Sequence, residues 1–173
     1  MTPPFPVDSW DAGKDENSTI AKDSPLWWGV DVSSDRTHAS IGVCGRRPDG
    51  AWHVELVEYR SGTGWLVKWF QKAAPNYPGG MKVALQSKGS PVASMMDILA
   101  AIEGIEIIEC SGKNVAGWCG RIWDAVASCL PDSDIDAVPA YHITQPALDL
   151  AANIAATRPL GDGAWTWDRN KSM

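Results

Sequence analysis

Among the 21 acidic side chains of this 173-residue sequence, Asp31 stands where a carboxylate is hardest to accommodate. It lies near the end of the apolar run Leu26-Trp27-Trp28-Gly29-Val30-Asp31-Val32, just before the turn-like Ser33 to Arg36. A carboxylate in such a run is costly unless it is ligated, hydrogen-bonded or placed at the exposed end of a strand. Two readings follow. In one, Asp31 binds a divalent cation for phosphodiester hydrolysis, a reaction in which acids converge so that cations about 4 Å apart hold the attacking and leaving oxygens. In the other, Asp31 caps the Ser33-Ser34 turn.

The elements that must position Asp31 are readable from periodicity. Leu26 to Val32 reads as a buried strand with Asp31 at its C-terminal end. Thr37 to Cys44 and Ala51 to Tyr59 are β-rich, and Pro48-Asp49-Gly50 between them predicts an antiparallel hairpin. Trp52, Val54, Leu56 and Tyr59 do not share one face, so the register beyond Glu58 stays open. Thr63 is placed to cap a helix carrying Trp65, Leu66, Trp69 and Phe70 and ending before Pro75. Met81 to Leu85 follows as a strand and Gln86 to Ser90 as its loop. Pro91 then opens a helix to about Glu103, where Gly104 stops it. Ile105 to Cys110 is a further strand, with Glu106 and Glu109 directed to solvent, and Lys113 to Cys129 carries a helical stripe. An acidic connector, Pro131 to Pro139, leads to a short edge strand at Ala140 to Ile143. Thr144-Gln145-Pro146 supplies the cap and first turn of a helix reaching about Thr157, and a tail runs from Arg158 to Met173.

A hairpin followed by alternating helix and strand implies an α/β fold, a mixed sheet flanked by helices in the ribonuclease-H-like order. Residues 1–24 read as a linker or N-terminal arm that only Phe5, Val7 and Trp10 could dock, and residues 25–173 as the folded domain.

Composition narrows the function classes. Apolar residues at 45% and charged residues at 21% describe one globular core and exclude wholesale disorder or a fibrous repeat. A net charge of −6 has the wrong sign for a domain that wraps nucleic acid unaided, so any DNA would be held by another domain or subunit. The four cysteines form no CxxC pair and have no histidine at zinc-finger spacing, so they read as buried thiols in a reducing cytoplasm. No apolar stretch approaches membrane-spanning length and no signal peptide is visible, so no membrane is expected. The ten tryptophans are spread along the chain, which favours packing over a single base-stacking platform.

Four blocks in order carry a resemblance: Trp28-Gly29-Val30-Asp31-Val32-Ser33-Ser34-Asp35-Arg36; Val83 to Leu99; His142 to Ala152 with Gln-Pro-Ala-Leu-Asp; and Arg158-Pro-Leu-Gly-Asp-Gly-Ala-Trp-Thr-Trp-Asp-Arg169. Together they resemble the C-terminal nuclease domain of terminase large subunits of tailed phages infecting actinobacteria, over a span from about Val7 to the last residue. The resemblance implies a metal-dependent endonuclease that cuts concatemeric genome DNA with two Mg²⁺ or Mn²⁺ ions, in the cytoplasm of the infected bacterial host. It implies double-stranded DNA, the terminase ATPase domain or subunit, the small terminase subunit and the portal as partners. It makes Asp31 the first metal-binding and catalytic acid. The family's second acid falls on Gln86, whose amide gives a cation an oxygen but no charge. The third acid lies beyond the Trp-x-Trp-Asp-Arg block, past Met173, which implies a domain lacking its last helix. The preceding ATPase half is also outside this sequence, since no GxxxxGK[ST] occurs.

Asp149 is a further candidate for metal binding and catalysis, although an acid in the first turns of a helix is favoured by the dipole alone. Asp35 and His142 complete the neighbourhood, His142 reading equally as a structural histidine. Lys88, Arg121 and Arg158 are candidate phosphate contacts or solvated surface. Gln86 also motivates a rival class, a catalytically silent docking or regulatory module of the packaging motor.

Overall fold

The computed structural model describes residues 4–169 and 171. Strand β1 (Leu26–Val32) buries Trp28, Val30 and Val32 and leaves Trp27, Gly29 and Asp31 on its other face, the period of two that a pleated strand imposes. β2 (His38–Arg46) and β3 (Trp52–Ser61) follow, joined by the turn in which Arg47 and Ala51 are bonded and Gly50 takes φ +86°. β4 (Met81–Gln86), β5 (Ile105–Cys110) and the two-residue β6 (Ala140–Tyr141) complete a six-stranded sheet in the order β5-β4-β1-β2-β3-β6. β1–β4, β4–β5 and β3–β6 are parallel, so the sheet is mixed, as the hairpin-then-crossover order predicts.

Helices α1 (Ser9–Ala12), α2 (Leu66–Ala73), α3 (Met96–Ala100), α4 (Lys113–Ala127) and α5 (Pro146–Ile154) depart from the sequence reading mainly at their ends. Thr63 does not cap α2 with its side chain; it offers its carbonyl to the Leu66 N–H, and Trp65 is the N-cap. The segment opened by Pro91 winds first as a 3₁₀ helix to Met95 and only then as α3, ending at Ala100 rather than Glu103. α5 ends at Ile154 because Ala155 turns to φ −54°, ψ 143° and Thr157 enters a strand. Thr144 does not cap α5 either, since its hydroxyl donates to the Glu16 carboxylate. The tail is a two-stranded antiparallel sheet of β7 (Thr157–Gly161) and β8 (Ala164–Trp167), whose turn places Gly161, Asp162 and Gly163 all at positive φ.

The chain divides into two compact units. One comprises Leu26–Val43 and Leu56–Gly112, and its core joins Trp28, Val30, Val32 and Ile41 of the sheet to Leu66 and Phe70 of α2 and Val92 and Leu99 around α3. The other comprises Met1–Pro25, Cys44–Glu55 and Lys113–Met173, within the described residues. In its core Phe5 and Trp10 meet Val126 and Ala152, with Trp167 packed against them. Trp10 stacks on His142 with centroids 3.9 Å apart and planes 15° apart, whereas Val7 is 70% exposed and docks nothing.

A polar network joins the amino-terminal stretch to the β2–β3 turn. Arg47 reaches Asp15 at 2.9 Å and Asp49 at 3.0 Å, and it also donates to the Ser18 hydroxyl at 3.0 Å. Having accepted from Arg47, Ser18 donates its own proton to His53 Nδ1 at 2.8 Å. His53 Nε2 lies 3.0 Å from the Glu55 carboxylate.

Gly13 closes α1, where a Cβ would stand 2.9 Å from the Ala140 carbonyl oxygen and 3.2 Å from Cys129 Sγ. Gly13→Ala is therefore expected to destabilise the protein by about 1–3 kcal/mol through overpacking against backbone. Urea unfolding measures this, and an unchanged midpoint would contradict the contact.

Candidate active site at the strand ends

Asp31 and Gln86 stand near the carboxyl ends of two neighbouring parallel strands, β1 and β4. The parallel register of β1 and β4 runs through Trp27–Lys82, Trp28–Val83 and Gly29–Ala84, two residues short of Asp31 and Gln86 on their strands. Gln86 in turn pairs with Cys110 of β5. Adjacent strands lie about 4.8 Å apart and equivalent positions point to the same face, so the two side chains leave one surface at the carboxyl ends of β1 and β4. Both residues are half-buried. Gln86 donates from Nε2 to the Lys88 carbonyl at 2.9 Å, a bond within the Gln86–Ser90 loop that sets the orientation of its amide. In the same loop the hydroxyl oxygens of Ser87 and Ser90 are buried without a partner among the described residues.

The β1–β2 connection is ordered by Asp35. Its carboxylate accepts from the Ser33 hydroxyl at 2.7 Å, the Thr37 N–H at 3.0 Å and the Thr37 hydroxyl at 2.7 Å. The Ser33 bond leads, and together these hold the carboxyl down at about 2. Asp35 is thus bonded to both ends of this turn. Arg36, at φ +59°, extends from it and donates to the Pro91 carbonyl at 3.3 Å and the Ser94 hydroxyl at 3.1 Å.

Across the turn, the Ser33 N–H donates to the His38 carbonyl at 3.0 Å. Ala39 and Ile41 are buried in the same core as Val30 and Val32, so His38 shares the opposite face with Asp31. There the His38 ring stacks on Tyr59, with centroids 5.2 Å and planes 11° apart. Tyr59 reaches that face because alternation in β3 breaks at Val57 and Glu58. Val57 packs into the core, yet Glu58 is bonded to Trp69 and Arg60 lies over Trp65, both also against that core. The Arg60 guanidinium is paired with Glu58 at 2.6 Å and holds that carboxyl below its usual range.

Asp149 belongs to the other unit, where it is occupied by local bonds. Its Oδ1 accepts from Trp10 Nε1 at 2.9 Å, and its Oδ2 accepts from the Gln145 N–H at 3.2 Å. His142 is fully buried there, with Nε2 2.9 Å from the Trp10 carbonyl and Nδ1 3.0 Å from the Ile143 carbonyl. Both residues are thus bonded to Trp10 within this unit. Lys88, Arg121, Arg158, Glu106 and Glu109 are exposed. The His38–Tyr59 pair escaped the sequence reading because only a fixed register past Glu58 would have paired its two strand positions.

No family model matches the sequence, and no curated protein sequence matches it. Solved structures do resemble the fold. The large terminase of bacteriophage HK97 superposes with a TM-score of 0.70 at 12% identity over 99% of this chain, which spans 40% of the HK97 protein. The large terminase nuclease of thermophilic phage G20c with bound cobalt gives 0.58 at 10% identity, covering 92% of this chain and 84% of the G20c chain. The nuclease domain of the large terminase subunit of bacterial virus Sf6, as a mutant with manganese and beta-thujaplicinol, gives 0.57 at 9% identity, covering 96% and 88%. The G20c nuclease has also been solved with bound magnesium. By its sheet order, its flanking helices and these superpositions, the chain has the ribonuclease-H-like fold of phage large-terminase nuclease domains.

Proposed function

We propose that the chain is the DNA-cleaving domain of a phage genome-packaging terminase, acting in the cytoplasm of the infected host. The observation that supports this reading is the parallel pairing of β1 with β4, whose carboxyl ends carry Asp31 and Gln86, in a fold whose solved neighbours are terminase nucleases. In open α/β sheets the crevice outside those strand ends is where ligands bind. Double-stranded DNA is the proposed substrate. The terminase ATPase, the small terminase subunit and the portal are the proposed partners. No helix among the described residues is long and apolar enough to cross a membrane.

The donor chemistry of the pair fits one hard cation, Mg²⁺ or Mn²⁺. Such ions favour oxygen ligands and are commonly held by one or two carboxylates, with waters and substrate phosphate completing the shell. Asp31 would supply the anionic oxygen and Gln86 a neutral one. A bound cation lends Lewis acidity to the phosphate and acidity to the attacking water. Asp31 orients that centre on a rigid strand, and the Gln86–Lys88 bond holds its neighbour in place. The two-metal form of the reaction calls for more acids. Among the described residues no group of three His, Cys, Asp or Glu side chains is gathered to hold an ion.

Supercoiled plasmid incubated with the protein and Mn²⁺ is expected to be nicked or linearised, and EDTA should stop the reaction. Plasmid left intact by Mn²⁺ would overturn this reading. The amide at Gln86 specifically favours the second reading, a silent docking or regulatory module of the motor, for which that outcome is the expected one.

A further inference from the structure

We propose that His38 and Tyr59 form a stacking shelf for an unpaired base of the DNA substrate beside Asp31, with Arg36 holding an adjacent phosphate; this rests on the nuclease reading above. His38 supports one face of the Tyr59 ring at 5.2 Å, and Tyr59 remains 53% exposed, so a rigid aromatic plane is presented outward. Elsewhere in this unit large aromatic rings are tied into packing: Trp28 meets Trp69 and Tyr77, and Trp69 meets Phe70. Tyr59 is placed on the outward plane by the break in β3 alternation, and His38 by its pairing with Ser33. Both therefore share the sheet face and the strand end of Asp31.

Among the neighbouring charges, which include the Asp31 and Asp35 carboxylates, Arg36 is the cation available to meet a phosphate. Arg60 is neutralised by Glu58. Arg36 donates to two neutral oxygens, the Pro91 carbonyl and the Ser94 hydroxyl, which position the guanidinium while leaving its charge uncompensated by them. A positioned guanidinium two residues before His38 and an exposed ring stacked on His38 are the two elements that single-stranded nucleic acid uses, backbone on the cation and base on the π face. Bases inside a duplex are already stacked, so the shelf acts on a base that has left its pair. Tyr59 and Arg36 are thus positioning residues: they hold the strand, while Asp31 addresses the phosphate to be cut.

Fluorescence anisotropy in EDTA, where cleavage is off, tests this with a blunt duplex and the same duplex carrying an unpaired thymine extension. The wild-type chain should bind the extended DNA about tenfold more tightly, the gain one stacked base gives. Tyr59→Phe should retain that gain. Tyr59→Leu, of similar apolar bulk but without a π face, should lose it and leave duplex affinity unchanged. Arg36→Gln should weaken both DNAs. A wild type indifferent to the extension, or a Tyr59→Leu variant that keeps the preference, overturns the shelf while plasmid cleavage leaves the nuclease reading standing. Failure to bind either DNA overturns the shelf, and failure also to cut plasmid sinks both readings.

Discussion

Asp31→Asn is expected to reduce Mn²⁺-dependent plasmid cleavage by at least about 100-fold, since even groups that merely orient a metal ligand cost 10–100-fold when removed. Asparagine keeps the shape and one neutral oxygen but takes away the single anionic charge that the Asp31–Gln86 pair offers a cation. Gln86→Glu acts in the opposite sense, adding a carboxylate on the adjacent strand. Mn²⁺ should then bind more tightly, by about tenfold, a change of roughly 1.4 kcal/mol. The competing account, in which Asp31 only caps the Ser33-Ser34 turn, makes a different forecast. Asparagine caps nearly as well, so stability would fall by less than about 1 kcal/mol and metal affinity would not move. In that turn the Asp35 carboxylate accepts from Ser33 and Thr37. Calorimetric titration of Mn²⁺ into the parent chain, Asp31→Asn and Gln86→Glu separates the accounts. Equal affinities in all three would mean that these positions hold no metal.

The largest effect on stability is expected at Trp10. Trp10→Ala should cost about 3–5 kcal/mol, a large part of the margin of a typical domain. The indole is 8% exposed, stacks on His142, lies 6.0 Å from the Phe5 ring and donates to Asp149. Its removal opens a cavity and also deprives the partly buried Asp149 carboxylate of a donor, which adds to the transfer cost. Trp10→Phe separates the two contributions, because it keeps an aromatic ring and loses only the N–H. Urea unfolding of both variants should place Phe between the parent and Ala. A loss below about 1 kcal/mol for Ala would show that the amino-terminal stretch is not anchored as described.

The core strands were legible because their signals are local. The apolar run at Leu26–Val32, the Pro48-Asp49-Gly50 turn and the Ile105–Cys110 run each state their conformation within a few residues, and the strands begin and end close to those marks. Asp31 was legible for the same reason, as an acid out of place in its run. Gln86 was not, since an amide at a strand end attracts no notice; only the resemblance singled it out, and its adjacency to Asp31 depends on a parallel pairing between segments far apart in sequence. Phe5 and Trp10 appeared merely able to dock because their partners, Val126, Ala152 and Trp167, lie more than a hundred residues away. Thr63 and Thr144 had the right type for caps, yet Trp65 took the N-cap of α2 and a tertiary contact drew Thr144 to Glu16. The turn Gly161-Asp162-Gly163 was visible, but the hairpin it closes has a β7 strand exposed along its whole length, so no apolar alternation announced it.

The assembly of one unit from three separated segments also orders events in time. On a ribosome adding about 5–20 residues per second, Phe5 and Trp10 would wait on the order of ten seconds for their partners at 122–167 to emerge. Over that interval two large aromatic rings travel unburied on the nascent chain, while segment 26–112 already holds the strands β1, β4 and β5 that pair with one another. The residues synthesised earliest in this segment order are thus among the last to be buried.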